Sequence, residues 1–171
     1  AAIVLASAER AKQFRREVLI RATSQVNDFL PISQRDLLAF EGPQRAIQNA
    51  LRSAQVTLSD INFAEVHDCF TIAELLIYEA MGLAPRGEGH RALDDGIVQA
   101  DGRLPVNLSG GLKAKGHPVG ATGVSMHAMA FRQLTAEAVG IAVPDAEFGL
   151  LFNMGGMAVA NYASVLQARR A

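Results

Sequence analysis

"NLSGGLKAKGHPVGATG", residues 107–123, carries five glycines within seventeen residues. Backbone this rich in glycine turns tightly, or lies close against another segment or a ligand. His117 stands directly before Pro118, which suits the first turn of the long apolar helix predicted to follow. The stretch has neither the GxGxxG nor the GxxxxGK[ST] pattern, so it is not a phosphate loop of either kind. His117 is therefore either a structural histidine or a general base that works near neutral pH.

The overall composition is that of one globular domain. Half of the 171 residues are hydrophobic and 19% are charged. The formal net charge of −1 provides no positive surface for nucleic acid, and the apolar runs are too short to span a bilayer. Neither a nucleic-acid partner nor a membrane segment is therefore predicted. The one cysteine, Cys69, excludes a disulfide within the chain and suits a reducing compartment, so a cytoplasmic protein is expected.

Segments with the patterns of strands and helices alternate along the chain, which predicts a layered α/β domain. The five predicted strands cover residues 1–6, 17–26 and 62–67, and a final pair within 148–167 that is joined at "NMGGM". The predicted helices begin after Ser7 and at Pro43, and cover residues 69–83 and 119–137. Residues 84–106, rich in Gly, Asp and Arg, are expected to form an irregular excursion with one small helical turn.

A second stretch that could carry chemistry is "HDCF", residues 67–70, at a predicted strand-to-helix junction. The free N–H groups of a helix N-terminus lower the pKa of a thiol and favour thiolate at Cys69. In the alternative reading, Asp68 is the N-cap of the helix and Cys69 is a small buried hydrophobic residue. A structural zinc site is not predicted, because the chain lacks the cysteine spacings of such sites.

The third stretch is "NMGGM", residues 153–157. Two adjacent glycines between two strands most simply form a hairpin turn. Backbone N–H groups at such a turn, that of Gly155 among them, could also form an oxyanion hole. The residues alone leave both readings open.

Taken in order, "HDCF", "GGLKAKGHPVGATG" and "NMG" closely resemble the C-terminal half of a thiolase, and "KGHPVGATG" is the most specific part of the match. Conventional thiolases have "NEAF" where this chain has "HDCF", and "CxG" where it has "NMG". The chain therefore resembles the sterol-carrier-protein, or lipid-transfer, type of thiolase. The resemblance covers nearly the whole chain and implies one βαβαβαββ unit, a mixed five-stranded sheet with helices on both faces. It also implies that residues 1–171 are a single C-terminal domain whose N-terminal half is absent.

The resemblance implies acyl transfer between coenzyme A thioesters, by Claisen condensation or by thiolytic cleavage of a 3-ketoacyl-CoA. His117 would activate the nucleophilic thiol, Cys69 would be the second acid and base, and His67 with His117 would hold the enolate oxygen. The Gly155 N–H would contribute to the hole for the tetrahedral intermediate. The family's nucleophilic cysteine lies in the N-terminal half, so this chain alone is expected to be inactive.

The resemblance also implies partners: an acyl-CoA substrate, the N-terminal thiolase half in the same or a separate chain, a second copy in a homo-oligomer, and an OB-fold protein. No cofactor is expected, since the coenzyme A thioester is a substrate. Two alternatives are a thiolase-like aldolase of sterol side-chain metabolism and a non-catalytic partner subunit. Such aldolases are expected to use tyrosines where thiolases use cysteine and histidine, and a subunit without activity has no need of Cys69 and His117. Their presence favours thiolase chemistry.

Overall fold

The computed structural model describes residues 1–169. Within that range the chain forms six α-helices, four β-strands and two short 3-10 turns. The helices are α1 (Ala8–Ala11), α2 (Glu41–Ala54), α3 (Thr71–Met81), α4 (Arg91–Asp94), α5 (Gly111–Lys115) and α6 (Thr122–Leu134). The strands are β1 (Val18–Asn27), β2 (Phe63–Val66), β3 (Phe148–Gly155) and β4 (Ala160–Ala168), and the turns are Ile32–Gln34 and Leu58–Asp60. None of the helices in this part of the chain is long and apolar enough to cross a membrane.

The strands form one mixed sheet in the order β1-β4-β3-β2. β4 runs antiparallel to both of its neighbours, whereas β2 and β3 are parallel. Parallel neighbours need a crossover connection, and here α3 to α6 lie between β2 and β3 in the chain. The prediction of a mixed α/β sheet is confirmed.

The strand count is four, where five strands were predicted. Residues 1–6 are exposed and pair with no strand of the described sheet, so the predicted first strand is wrong. The fifth position of the sheet is instead a single parallel bridge between Val106 and Ala64. Pro105 has no N–H to donate and Asn107 has a φ of +55°, so the extended backbone cannot continue past this one pair.

Helices cover both faces of the sheet, as predicted. On one face, Ala46, Ile47 and Ala50 of α2 pack in a core cluster that also contains Leu150 and Phe152 of β3. On the other face, α6 packs in a second cluster that contains Leu151. Successive residues of β3 thus point to opposite faces, as the two-residue period of a strand requires.

The predicted helices are confirmed with shifted ends. Ser7 caps α1, since its hydroxyl oxygen accepts the Arg10 N–H at 3.3 Å. α2 begins at Glu41, two residues before Pro43, after Phe40 in the left-handed region. Proline is tolerated there because the first N–H groups of a helix have no acceptor within it. α3 ends at Gly82 with a φ of +80°, the usual helix-ending conformation of glycine.

The close approach of β2 to β3 at Gly149 provides a stability test. A Cβ added at Gly149 would lie 2.5 Å from Cζ of the Phe63 ring, whereas a Cβ at Gly155, in the same strand, would have nothing within 4 Å. We expect Gly149→Ala to lower the free energy of unfolding by about 1–3 kcal/mol, the usual cost of overpacking. Gly155→Ala, the matched control, should change it far less. Urea denaturation measures both, and equal losses in the two variants would contradict the packing shown here.

Candidate active site

The site lies where the pairing of the two parallel strands ends. β2 and β3 pair from Phe63↔Gly149 to Val66↔Phe152. His67 is the first residue after β2, and Asn153 is the next residue of β3, which continues to Gly155, so the two lie side by side at this edge. Their side chains meet there, with His67 Nδ1 at 2.6 Å from Asn153 Oδ1. The carboxyl ends of parallel strands are the usual position of ligand sites in open α/β sheets.

The two histidines predicted for the site come together. The rings of His67 and His117 lie with their centroids 4.9 Å apart and their planes at 87°. His67 is 5% exposed, whereas His117 is exposed to solvent. Burial, the largest cause, and the neighbouring His117 lower the pKa of His67, although Asn153 and Asp68 act in the opposite direction. His67 is therefore held in its neutral form.

The hydrogen-bond partners define which nitrogen of each ring carries the proton. Thr122 donates its hydroxyl hydrogen to the carbonyl of Pro118 at 3.2 Å, so its oxygen accepts from His117 Nδ1 at 2.7 Å. Asn153 Oδ1 is an acceptor, so His67 Nδ1 donates to it. With Nδ1 as the donor, the lone pair of each imidazole is on Nε2, and in His117 that lone pair can accept a proton from a substrate or a thiol.

One reading of the sequence made Asp68 the N-cap of α3, but Asp68 does not cap that helix. The N-cap of α3 is Phe70, and no side chain bonds to that end of the helix. The Asp68 carboxylate instead accepts the N–H of Leu112 at 2.7 Å and of Lys113 at 3.3 Å. These two residues are in the first turn of α5, so Asp68 caps a helix that lies more than forty residues further along the chain.

Cys69 is partly buried and is the chain's free thiol. Burial is the largest effect on its pKa and raises it, and the Asp68 carboxylate raises it further. The Phe70 N–H, the second-largest effect, lowers the pKa, and the Lys113 ammonium and the Cys69 N–H lower it too, but burial outweighs them. Of the two readings of Cys69, this environment favours the buried thiol over the thiolate. A thiol that keeps its proton is suited to donate it to a carbanion.

Gly155 is the exposed last residue of β3, and the space around it is open. The sequence placed the whole "NMGGM" stretch in the hairpin turn. In the structure Asn153 and Gly155 still belong to β3, and residues 156–159 make the turn. Three of these turn residues, Gly156, Met157 and Ala158, have φ between +56° and +63°.

Buried polar groups hold the glycine-rich segment against β2. The Glu65 carboxylate is 3% exposed, accepts the Ser109 hydroxyl at 2.6 Å and pairs with Lys115 Nζ at 3.3 Å. Asn107 accepts the Val66 N–H at 2.8 Å through Oδ1 and donates to Glu74 Oε1 at 2.8 Å. The segment that carries His117 is thus hydrogen-bonded to β2 and α3 through residues that precede His117 in the chain.

Sequence reasoning missed five residues that build this site: Glu65, Asp68 as a cap of α5, Asn107, Thr122 and Asn153 as a partner of His67. One signal was present for Glu65, because a carboxylate within the apolar strand "NFAEVH" calls for a buried partner. Asp68, Asn107 and Asn153 act across separations of more than thirty residues and carry no local signal, whereas Thr122 lies only five residues after its partner His117. Among residues 1–169, no group of three or more His, Cys, Asp or Glu side chains is placed to hold a metal ion.

The chain belongs to the thiolase family: residues 24–168 match the family described as "Thiolase C-terminal domain-like". It is 40% identical over 158 residues to an acetyl-CoA acetyltransferase of Methanothermobacter thermautotrophicus, covering 91% of the chain and 41% of that protein. It is 39% identical to sterol carrier protein 2 of Oryctolagus cuniculus, covering 91% of the chain and 30% of that protein. The predicted resemblance is confirmed.

A solved structure shows the same fold. It is the Ltp2-ChsH2(DUF35) aldolase, which superposes with a TM-score of 0.83 at 25% identity and covers 96% of this chain and 43% of its own. The chain thus spans less than half the length of each of these relatives.

The raised pKa of Cys69 can be measured directly, because no other cysteine competes for a thiol reagent. We expect the rate of modification, followed from pH 6 to 11, to rise with an apparent pKa above about 8.5, the value of a free thiol. Unfolding the chain in urea should return the apparent pKa to that value. An apparent pKa below about 7.5 in the folded chain would show an activated thiolate and contradict the burial described here.

The lowered pKa of His67 makes the stability of the chain pH-dependent. The unfolded chain takes up this proton near pH 6.5, whereas the folded chain resists it, so the free energy of unfolding falls as the pH drops below about 6.5. His67→Gln should flatten this slope in urea denaturation between pH 5 and 7.5. His90→Gln, which removes an exposed histidine, is the control for the loss of an imidazole. A slope unchanged in His67→Gln would show that His67 is not held neutral by the fold.

Proposed function

We propose that this chain is the C-terminal catalytic half of a thiolase-type acyl-CoA acyltransferase. The observation that carries the proposal is the meeting of His67 and His117 at the carboxyl ends of β2 and β3, with Cys69 two residues from His67. Two imidazoles with free Nε2 atoms and one protonated thiol match the acid and base groups that carbon–carbon cleavage next to a thioester requires.

In the proposed thiolysis, His117 Nε2 takes the proton of a nucleophilic cysteine, and the thiolate attacks C3 of a 3-ketoacyl-CoA. The resulting alkoxide collapses, the C2–C3 bond breaks, and its electron pair passes to C2 and the thioester oxygen as an enolate. The Cys69 thiol protonates C2, which releases acetyl-CoA and leaves the shortened acyl chain on the nucleophilic cysteine as an acyl-enzyme. A second coenzyme A gives its thiol proton to Cys69 and takes the acyl group, and the cysteine recovers its proton from His117. Claisen condensation is the reverse sequence.

Two oxyanions form along this path and need donors. The enolate oxygen can accept from protonated His117 Nε2 and from a water that also donates to His67 Nε2. Neutral His67 suits this role, because its only proton is engaged by Asn153. The alkoxide of the tetrahedral intermediate would accept the Gly155 N–H, at the open end of β3.

The nucleophilic cysteine of this scheme comes from outside residues 1–171, because Cys69 is the one cysteine in the sequence. We propose that an N-terminal thiolase half, in the same or a separate polypeptide, supplies it. The chain's share of its relatives, 41% for the archaeal acetyltransferase, leaves room for such a half. We further propose a cytoplasmic homo-oligomer that uses acyl-CoA as substrate and no cofactor.

The fold neighbour supports a second candidate, a thiolase-like aldolase that works with a second protein, since that structure is named as an aldolase with a ChsH2(DUF35) component. An OB-fold protein would then be the partner. Cys69 and His117 favour acyl transfer, because an aldol cleavage uses no acyl-enzyme and leaves the base for a thiol nucleophile without a role.

The test is CoA-dependent cleavage of acetoacetyl-CoA by this chain combined with its N-terminal half. We expect His117→Ala to lower kcat by about 10²- to 10⁴-fold, the usual contribution of a positioned acid or base. His90→Ala, which changes an exposed histidine within the 84–106 excursion, is the control. Residues 1–171 alone should show no turnover. Turnover by the chain alone, or cleavage that does not depend on coenzyme A, would contradict the proposal.

A further inference from the structure

Asp68, the second residue of the "HDCF" stretch, has no role in the chemistry proposed above. Asp68 is 4% exposed, and a buried carboxylate is costly unless hydrogen bonds satisfy it. We propose that Asp68 is the positioning residue of this site, which holds the His117 segment and Cys69 in one fixed arrangement through its carboxylate. This inference rests on the proposed acyl-transfer function.

The first step is the capping contact. Asp68 Oδ1 lies 2.7 Å from the N–H of Leu112, and Oδ2 lies 3.3 Å from that of Lys113. α5 has only five residues, so its first N–H groups have no acceptor within the helix. A charged acceptor at this position stabilises the helix start more strongly than a neutral one.

The second step is the fit around the carboxylate. A Cβ at Gly111 would lie 2.2 Å from Asp68 Oδ2, and Gly111 has a φ of +61°. Both the space and the backbone conformation therefore require glycine at this position. The second glycine of "GGLKAKGHP" is thus explained by a residue more than forty positions earlier, and the two motifs are parts of one contact.

The third step is the position of this contact in the site. Asp68 lies between His67 and Cys69, and the helix that it caps ends at Lys115, two residues before His117. The rigid link from Asp68 to α5 therefore determines where the exposed ring of His117 stands against that of His67. A displacement of about 1 Å at such a position costs a large part of the rate.

Glu65 provides the comparison. It anchors the same segment through Ser109 and Lys115, and it is also a buried carboxylate. It lies in β2, whereas Asp68 is next to Cys69 in the chain and raises the pKa of that thiol. The charged group that opposes Asp68 at the thiol is Lys113, whose ammonium also lies 5.8 Å from the centre of the Phe70 ring.

Hydrogen exchange of the unmodified chain gives the first test. The amides of Leu112 and Lys113 should be protected, although they are in the first turn of a short surface helix. Free exchange of both amides would overturn the proposal without any variant. Asp68→Asn should then release the Lys113 amide, because an amide group offers one acceptor oxygen where the carboxylate offers two.

The thiol titration of Cys69 tests the charge of Asp68 in the chain alone, whether or not acyl transfer is its function. Asp68→Asn should lower the apparent pKa, Lys113→Met should raise it, and Glu65→Gln should leave it unchanged. If Cys69 had the same apparent pKa in Asp68→Asn and in the unmodified chain, the proposed effect of the Asp68 charge on the thiol would be overturned. Since Lys113 is exposed, its variant remains informative even if Asp68→Asn fails to fold.

In the complete enzyme, Asp68→Asn should lower kcat about 10- to 100-fold, as loss of a supporting group typically does, with KM changed by less than about threefold. The alkaline limb of the kcat profile should move to lower pH together with the Cys69 titration. Asp94→Asn, on the surface helix α4, is the matched control. If Asp68→Asn lowered the stability of the folded enzyme but left kcat unchanged, Asp68 would have only a structural role and the proposal would be overturned. Absence of all acyl transfer in the unmodified enzyme would contradict the proposed function instead.

Discussion

The parallel pairing of β2 with β3 is the interaction on which the rest of this structure depends. β2 ends at Val66 while β3 continues beside it, so His67 and Asn153 are adjacent although 86 positions separate them in the chain. The short bond between these two side chains orients the buried imidazole. The His67 ring in turn packs edge-to-face against the ring of His117.

The second requirement is that the glycine-rich segment reaches this edge in one conformation. It does so because buried polar groups of β2 and of the residues just after it bond to residues 107–113. These groups are Glu65, the Val66 N–H and Asp68. Each of these groups would be costly to bury alone. A network in which every member is satisfied therefore specifies one arrangement and makes slippage of the segment unfavourable.

Much of the site was predictable because its chemistry is concentrated in short motifs. His67, Cys69 and His117 were found from "HDCF" and "GHP", and the structure brings the two histidines into contact. For Cys69 the sequence left two readings open, a thiolate at a helix N-terminus and a small buried residue, because burial cannot be read from the sequence. Burial depends on what packs over the thiol, and here it outweighs the backbone N–H groups. The strand predicted over residues 1–6 failed for a related reason: an apolar run becomes a strand only where a neighbour accepts its hydrogen bonds.

By itself the sequence determined the family, the alternation of helices and strands, and the residue types at the site, since these depend on local pattern and on motif identity. Tertiary structure alone decided that Val106 and not residues 1–6 occupies the fifth sheet position, and that Asn153 orients the His67 imidazole. It alone decided that Asp68 caps α5 and not α3. The physical reason is that hydrogen bonds between distant segments depend on distance in space, which the order of residues along the chain does not contain.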